Sequence, residues 1–261
     1  KEALDSAIED FDVYGRLEEM NRQALLAILS ASYPLEDALK LFEEVEKAEE
    51  LLENPASTIS EFGSQLKTMD AMMEAMRLFE PSRNGSGDVN WDETDEDIFR
   101  TVGASWTASD NNLWSKRGSR SSEDYYEVTF TGNKLDLFAT PCSSRGYADV
   151  YIDGELIGRV DLYRNSKDDK KISMFFGTPI LEEGEHTVKV KMVADNVNGS
   201  SKSYHPMTGN GMVTFSYART YTGENFGAED LVQSSLLSDL ITAKRLDVSD
   251  ADESLVDALK N

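Results

Sequence analysis

The chain has 261 residues, 49 of them acidic against 26 basic, for a formal net charge of −23. That length supports two compact domains with separate cores. The charge argues against a phosphate-neutralising surface, and so against nucleic acid and anionic membrane. No apolar run reaches bilayer length, and the single cysteine, Cys142, excludes an internal disulfide.

From Leu4 to Leu29 the pattern is helical, with a break expected near Gly15. Next, Ala38, Leu41, Phe42, Val45, Ala48 and Leu52 form one apolar stripe, while Glu43, Glu44, Glu46, Lys47, Glu49 and Glu50 face outward. Asn54-Pro55 ends this helix, because proline cannot extend the hydrogen-bond ladder. A third helix starts at Thr58, with Glu61 three residues on as a capping box. It continues through Ile59, Phe62, Leu66, Met69, Met73 and Met76, a stripe read as adaptable core.

Pro81 to Gly87 is polar and rich in turn residues, and residues 81–96 read as an acidic linker. Beyond it the period changes to two. Tyr126, Val128 and Phe130 alternate with Glu127 and Thr129, Leu135 and Leu137 flank Asp136, and Ala148, Val150 and Ile152 flank Asp149 and Tyr151. Val188, Val190 and Met192 continue the series. Each is expected to be a strand with one buried face. Asp153-Gly154 predicts a tight hairpin, since a type I′ turn needs positive φ. Together with Met212 to Tyr217, the strands indicate an antiparallel jelly-roll β-sandwich over 97–220. The chain is therefore expected to be multidomain, α and all-β, with a three-helix-type bundle over 1–80. A helical segment over 221–261, carrying Leu236, Leu237, Leu240, Ile241 and Leu246, either opens a second bundle or closes the first. The change of period across the linker predicts that bundle and sandwich are separate cooperative units.

Two resemblances follow. The run Asn54-Pro55-Ala56-Ser57-Thr58-Ile59-Ser60-Glu61-Phe62 between amphipathic helices resembles the three-helix "found in various architectures" repeats of Gram-positive surface proteins, and Leu236 to Lys244 with Glu253-Ser254-Leu255 looks like the start of another copy. Gly146 to Gly154, Gly158 to Tyr163 and Leu181 to Val188 resemble galactose-binding-like carbohydrate-binding modules of secreted bacterial hydrolases. The second resemblance implies a β-sandwich more strongly than a sugar site, because its residues build hairpin and turns. Together they imply an extracellular or cell-surface accessory region of a larger Gram-positive-type protein, an expectation in keeping with a chain that opens on Lys1.

Catalysis needs a nucleophile, a positioned base or a metal. His186, in the turn before a strand, is expected to bond structurally; His205 lies in the loop Ser203-Tyr204-His205-Pro206; Cys142 has no histidine beside it in sequence. Asp88, Asn90 and Asp92, followed by Asp95 and Asp97, alternate like a calcium loop. Glu93 and Phe99 stand where an EF-hand needs glycine and glutamate, so only a looser calcium site stays open. Asp195, Asn196 and Asn198 form a weaker candidate.

Sugar binding by a sandwich pairs an aromatic face with polar side chains that take the hydroxyls. Among loop aromatics, Trp114 in Asn111-Asn112-Leu113-Trp114-Ser115-Lys116-Arg117 ranks first, with Arg117 and Arg120 close by, followed by Tyr163, Tyr204 and His205. Trp106 is expected to be buried; for Trp114, core and platform both stay open. The leading expectation is a non-catalytic region binding a glycan or host glycoprotein. The alternative is a structural or protein-contacting region that positions a neighbouring domain of the same polypeptide, such as a glycosidase or an immunoglobulin A type protease.

Overall fold

The computed structural model describes residues 2–30, 32–77, 85–103, 106–109, 112–115, 124–142, 144–163, 172–193, 212–227, 230 and 235–239. Three helices come first: α1 (Glu2–Leu29), α2 (Leu35–Glu53) and α3 (Ile59–Arg77). α1 runs unbroken through Gly15, where one unfavourable residue is outweighed by a long helix packed on its neighbours. The capping box opens α3: the Thr58 N–H donates to Glu61 Oε2 at 2.7 Å and the Glu61 N–H to Thr58 Oγ1 at 3.3 Å. The expected stripes are buried, except for half-buried Leu52 and exposed Ile59 at the two helix ends, and meet in one core, with Leu17, Met20 and Ile28 of α1 facing Leu41 and Val45 of α2 and Met69 of α3.

The strands are β1 (Gly87–Asn90), β2 (Phe99–Val102), β3 (Trp106–Ser109), β4 (Asn112–Ser115), β5 (Tyr125–Gly132), β6 (Lys134–Ala139), β7 (Tyr147–Ile152), β8 (Glu155–Asp161), β9 (Ser173–Gly177), β10 (Gly184–Met192), β11 (Thr214–Phe215) and β12 (Tyr217–Tyr221). They form antiparallel sheets in the orders β1-β12-β6-β9, β2-β5-β10-β7-β8 and β11-β4-β3. Tyr126 and Val128 from β5, Val150 and Ile152 from β7, Val188 and Val190 from β10 and Leu135 and Leu137 from β6 fill the space between sheets. The β7–β8 hairpin turns at Asp153 (φ 51°) and Gly154 (φ 89°), the two positive angles that its sequence predicts.

One expectation needs correcting. Residues 87–90, assigned to the linker, form β1, an edge strand paired along β12 from Gly87↔Thr220 to Asn90↔Tyr217. Val89 and Trp91 pack on the sandwich core, and the Arg219 guanidinium holds Asp88 at 3.0 Å, which together outweigh the polar composition. Bundle and sandwich also pack against each other. β6 is buried on both faces: Leu135, Leu137 and Ala139 face the sandwich core, while Phe138 and Met174 of β9 join the helical core. A side chain at Gly158 of β8 would meet Leu26 of α1, its Cβ falling 2.5 Å from Leu26 Cδ1. Buried Leu237, in the helical stretch 235–239, also enters the core of the first bundle. The later C-terminal positions read from sequence, from Leu240 onward, lie outside the described residues.

Candidate functional site

β4 carries Leu113 into the sandwich core, so alternation turns Trp114 to the other face. Trp114 is registered between Thr107 on β3 and Thr214 on β11. Partly exposed, it belongs to neither apolar core, whereas Trp106 packs against Tyr126 and donates its indole N–H to the Val102 carbonyl at 3.2 Å. Asn112 fixes the frame around Trp114 by accepting from Thr214 Oγ1 at 2.8 Å and Ser216 Oγ at 3.2 Å; the Val213 N–H donates to Ser115 Oγ at 3.1 Å.

The Arg145 guanidinium lies 5.6 Å from the Trp114 ring centroid, within cation–π range. Arg145 is held from the backbone by a parallel bridge to Met212 and by its N–H to the Cys142 carbonyl at 3.0 Å. It is 6% exposed. Nη1 donates to Ser144 Oγ at 2.9 Å and approaches Met212 Sδ at 3.9 Å, while Nε is buried with no hydrogen-bond partner. Burial pushes the Arg145 pKa down, against a smaller opposing influence of Cys142. A guanidinium stays charged at neutral pH even so, and an unmade hydrogen bond at a buried polar group costs about 1–3 kcal/mol. Sequence reasoning passed over Arg145, because nothing in Ser144-Arg145-Gly146 signals that an arginine turns inward there.

Of the other expected ligand residues, Tyr163 is 1% exposed, its N–H donating to Asp161 Oδ1 at 2.9 Å; packing rather than loop exposure governs its ring, which offers no open face. Arg117, Arg120, Tyr204 and His205 lie outside the described residues, as do Asp195, Asn196 and Asn198. A second aromatic surface lies on strands rather than in loops. On the outer face of the five-stranded sheet, Lys189 Nζ sits 4.3 Å from the Tyr151 ring and 5.6 Å from that of Tyr125. The alternation of Tyr151 with Val150 and Ile152 was the signal for it.

Of the calcium candidates, Asp88 is already engaged by a side chain of the protein. Asp88, on β1, accepts from Arg219 Nε at 3.0 Å and Nη2 at 3.5 Å, so a cation already occupies its oxygens. Asp88, Asp97 and Glu185 all line one cleft of about 400 Å³, and among the described residues no three acidic, histidine or cysteine side chains converge as a metal site. His186 has both ring nitrogens engaged, Nδ1 with Asp153 Oδ2 at 2.7 Å and Nε2 with the Glu182 carbonyl at 2.8 Å, the structural role expected for it.

The described chain is thus a helix-backed antiparallel β-sandwich bearing a partly exposed tryptophan and a buried arginine. No model of a known protein family matches it. Over 82 residues, 31% of the chain, it is 39% identical to the A type blood alpha-D-galactosamine galactosaminidase of Flavonifractor plautii, of which it spans 7%. Among solved structures it is similar to a carbohydrate-binding module CBM36 in complex with calcium and xylotriose, at 8% identity and TM-score 0.32, covering 51% of this chain and 98% of that one. It is also similar to a family two carbohydrate esterase from Cellvibrio japonicus, at 16% identity and TM-score 0.35, covering 52% of this chain and 33% of the esterase. Among the described residues no helix is long and apolar enough to cross a membrane.

Proposed function

We propose that this chain is a non-catalytic carbohydrate- or glycoprotein-binding region of a larger secreted or cell-surface bacterial protein, with a jelly-roll sandwich as its binding part. The observation that carries this reading is Trp114, an indole held outside both cores on a hydrogen-bonded frame. An aromatic so placed can stack on the apolar side of a pyranose while polar neighbours take its hydroxyls. The likeness of 82 residues to a galactosaminidase, over 7% of its length, supports attachment to a carbohydrate-active protein. The engagement of both ring nitrogens gives His186 a structural part rather than a catalytic one.

A glycan array probed with the whole chain tests the reading, run beside pull-downs of host glycoproteins before and after deglycosylation. Binding that disappears on deglycosylation is the expected result. Binding that survives it favours the second reading, a protein-contacting spacer that positions a catalytic neighbour. The buried contact between bundle and sandwich speaks for that alternative, since a rigid joint sets distance and orientation.

A further inference from the structure

We infer that the Trp114–Arg145 corner receives the carboxylate of an acidic sugar, with Arg145 as the pairing group. This rests on the carbohydrate reading above and names the class of glycan. Arg22, Arg100, Arg159 and Arg219, all more exposed, each pair with a carboxylate: Glu18 and Glu19, Glu127, Asp149, and Asp88 respectively. Arg145 is the reverse. It is 6% exposed, yet no carboxylate among the described residues pairs with it, in a chain with 49 acids.

A guanidinium presents five N–H donors in a planar fork matched to a carboxylate. Here one nitrogen uses a hydroxyl and a weak thioether acceptor, and Nε has no partner. A buried cation without its counter-charge is the unfavourable half of an ion pair. An incoming carboxylate completes it, while the sugar ring attached to that carboxylate falls beside the indole. The chain's net charge of −23 repels an anionic glycan at long range. That repulsion is screened beyond about 8 Å in physiological salt, whereas the contact at Arg145 is local. A neutral glycan gains the indole but leaves the guanidinium as it is.

The test titrates the whole chain with glucuronic acid, its methyl ester, N-acetylneuraminic acid and galactose, followed by tryptophan fluorescence. One of the two acids should bind at least about tenfold more tightly than the neutral sugars, the scale of a charge-assisted bidentate contact. The two acids separate a hexuronate from a sialic acid ligand. Arg145→Gln should remove the preference and leave weak neutral binding. Acids and neutral sugars bound alike, or a preference that persists in Arg145→Gln, overturns the inference. Should Arg145→Gln fail to fold, the comparison of acids with neutral sugars on the unmodified chain decides alone. Glycan binding that is lost in Trp114→Ala but indifferent to the carboxylate rejects this inference and leaves the carbohydrate reading intact. Absence of any glycan binding rejects both.

Discussion

Lys134 and Asp136, two positions apart on one face of β6, form an ion pair with side chains only 2% and 1% exposed, sealed where the helices meet the sandwich. Ser32, just beyond α1, donates to Asp136 Oδ1 at 2.7 Å and accepts from Lys134 Nζ at 2.6 Å, and Tyr221 Oη donates to Asp136 Oδ2 at 2.8 Å. The network spans both halves of the molecule. Every listener in it is charged or polar, so its worth lies in complete pairing: a buried ion pair with its remaining hydrogen bonds satisfied is tolerated, and one with a partner removed is not.

Asp136→Asn is therefore expected to destabilise by about 3–5 kcal/mol, because Lys134 stays buried without its counter-charge. The double change Lys134→Met with Asp136→Leu should recover most of that loss, since apolar replacement of a whole buried pair is often near neutral. Denaturant unfolding followed at helical and sheet wavelengths checks both. The helical and sheet transitions should coincide in the unmodified chain and separate once the shared network is lost. A cost below about 1 kcal/mol for Asp136→Asn, the size of an exposed ion pair, would mean that water reaches the site.

Two fully buried tyrosines of the sandwich, Tyr221 and Tyr126, should respond differently to loss of the hydroxyl. Tyr221→Phe removes a donor to a carboxylate and is expected to cost about 1.5–3 kcal/mol. The Tyr126 hydroxyl is fully buried with no hydrogen-bond partner, and burial alone pushes its pKa up. Tyr126→Phe relieves an unsatisfied group and should be neutral or stabilising by up to about 1 kcal/mol. Paired thermal melts of the two variants make the comparison.

Sequence patterning was a good guide wherever one face of an element meets one core. The stripes of α2 and α3, the Thr58–Glu61 cap, the inward face of β7 and the Asp153-Gly154 turn all follow from local periodicity and turn chemistry. It failed where an element has two buried faces. Asp136 between Leu135 and Leu137 reads as a solvent-facing residue, and only the helices packed across β6 make it interior. Residues 87–90 failed for a related reason: their polar composition resembles a linker, but pairing with β12 is a long-range event without a local signature. At the candidate site Trp114 was legible as a residue type and Arg145 was not, because its burial depends on Met212, which lies 67 positions away.

Stability should carry a pH dependence from the His186–Asp153 pair. For His186, burial acts to lower the pKa, but the hydrogen bonds to Asp153 and the Glu182 carbonyl outweigh it and the value is raised. For Asp153, burial acts to raise the pKa, and the His186 and Thr187 hydrogen bonds outweigh it and hold the value low. The contribution of His186 is thus fully present below about pH 6.5 and lost as pH rises through its raised pKa; that of Asp153 is present above about pH 3.9 and lost as pH falls through its lowered one. The hairpin is most stable between these limits. Asp153→Asn keeps the turn, since asparagine tolerates positive φ, and should flatten the alkaline-side decline in melting temperature. The effect should stay under about 1 kcal/mol for a pair this close to the surface. An unchanged pH profile in the variant would assign the decline to another group.

Trp114→Ala separates a platform from a packing residue. Because the indole lies outside both apolar cores, its removal should not carry the roughly 3–5 kcal/mol of a core tryptophan. It does strip the π-face from Arg145, so a loss on the order of 1–2 kcal/mol is expected. Glycan or glycoprotein binding should fall much further than stability does, because stacking on the ring is the contact that removes apolar sugar surface from water. Trp114→Phe provides the control: a smaller ring in the same register keeps an aromatic face beneath Arg145 and should retain part of the binding. Full binding by Trp114→Ala, with a near-unchanged melt, would move the site to the Tyr125–Lys189–Tyr151 face of the five-stranded sheet, where Tyr151→Ala is the next substitution to measure.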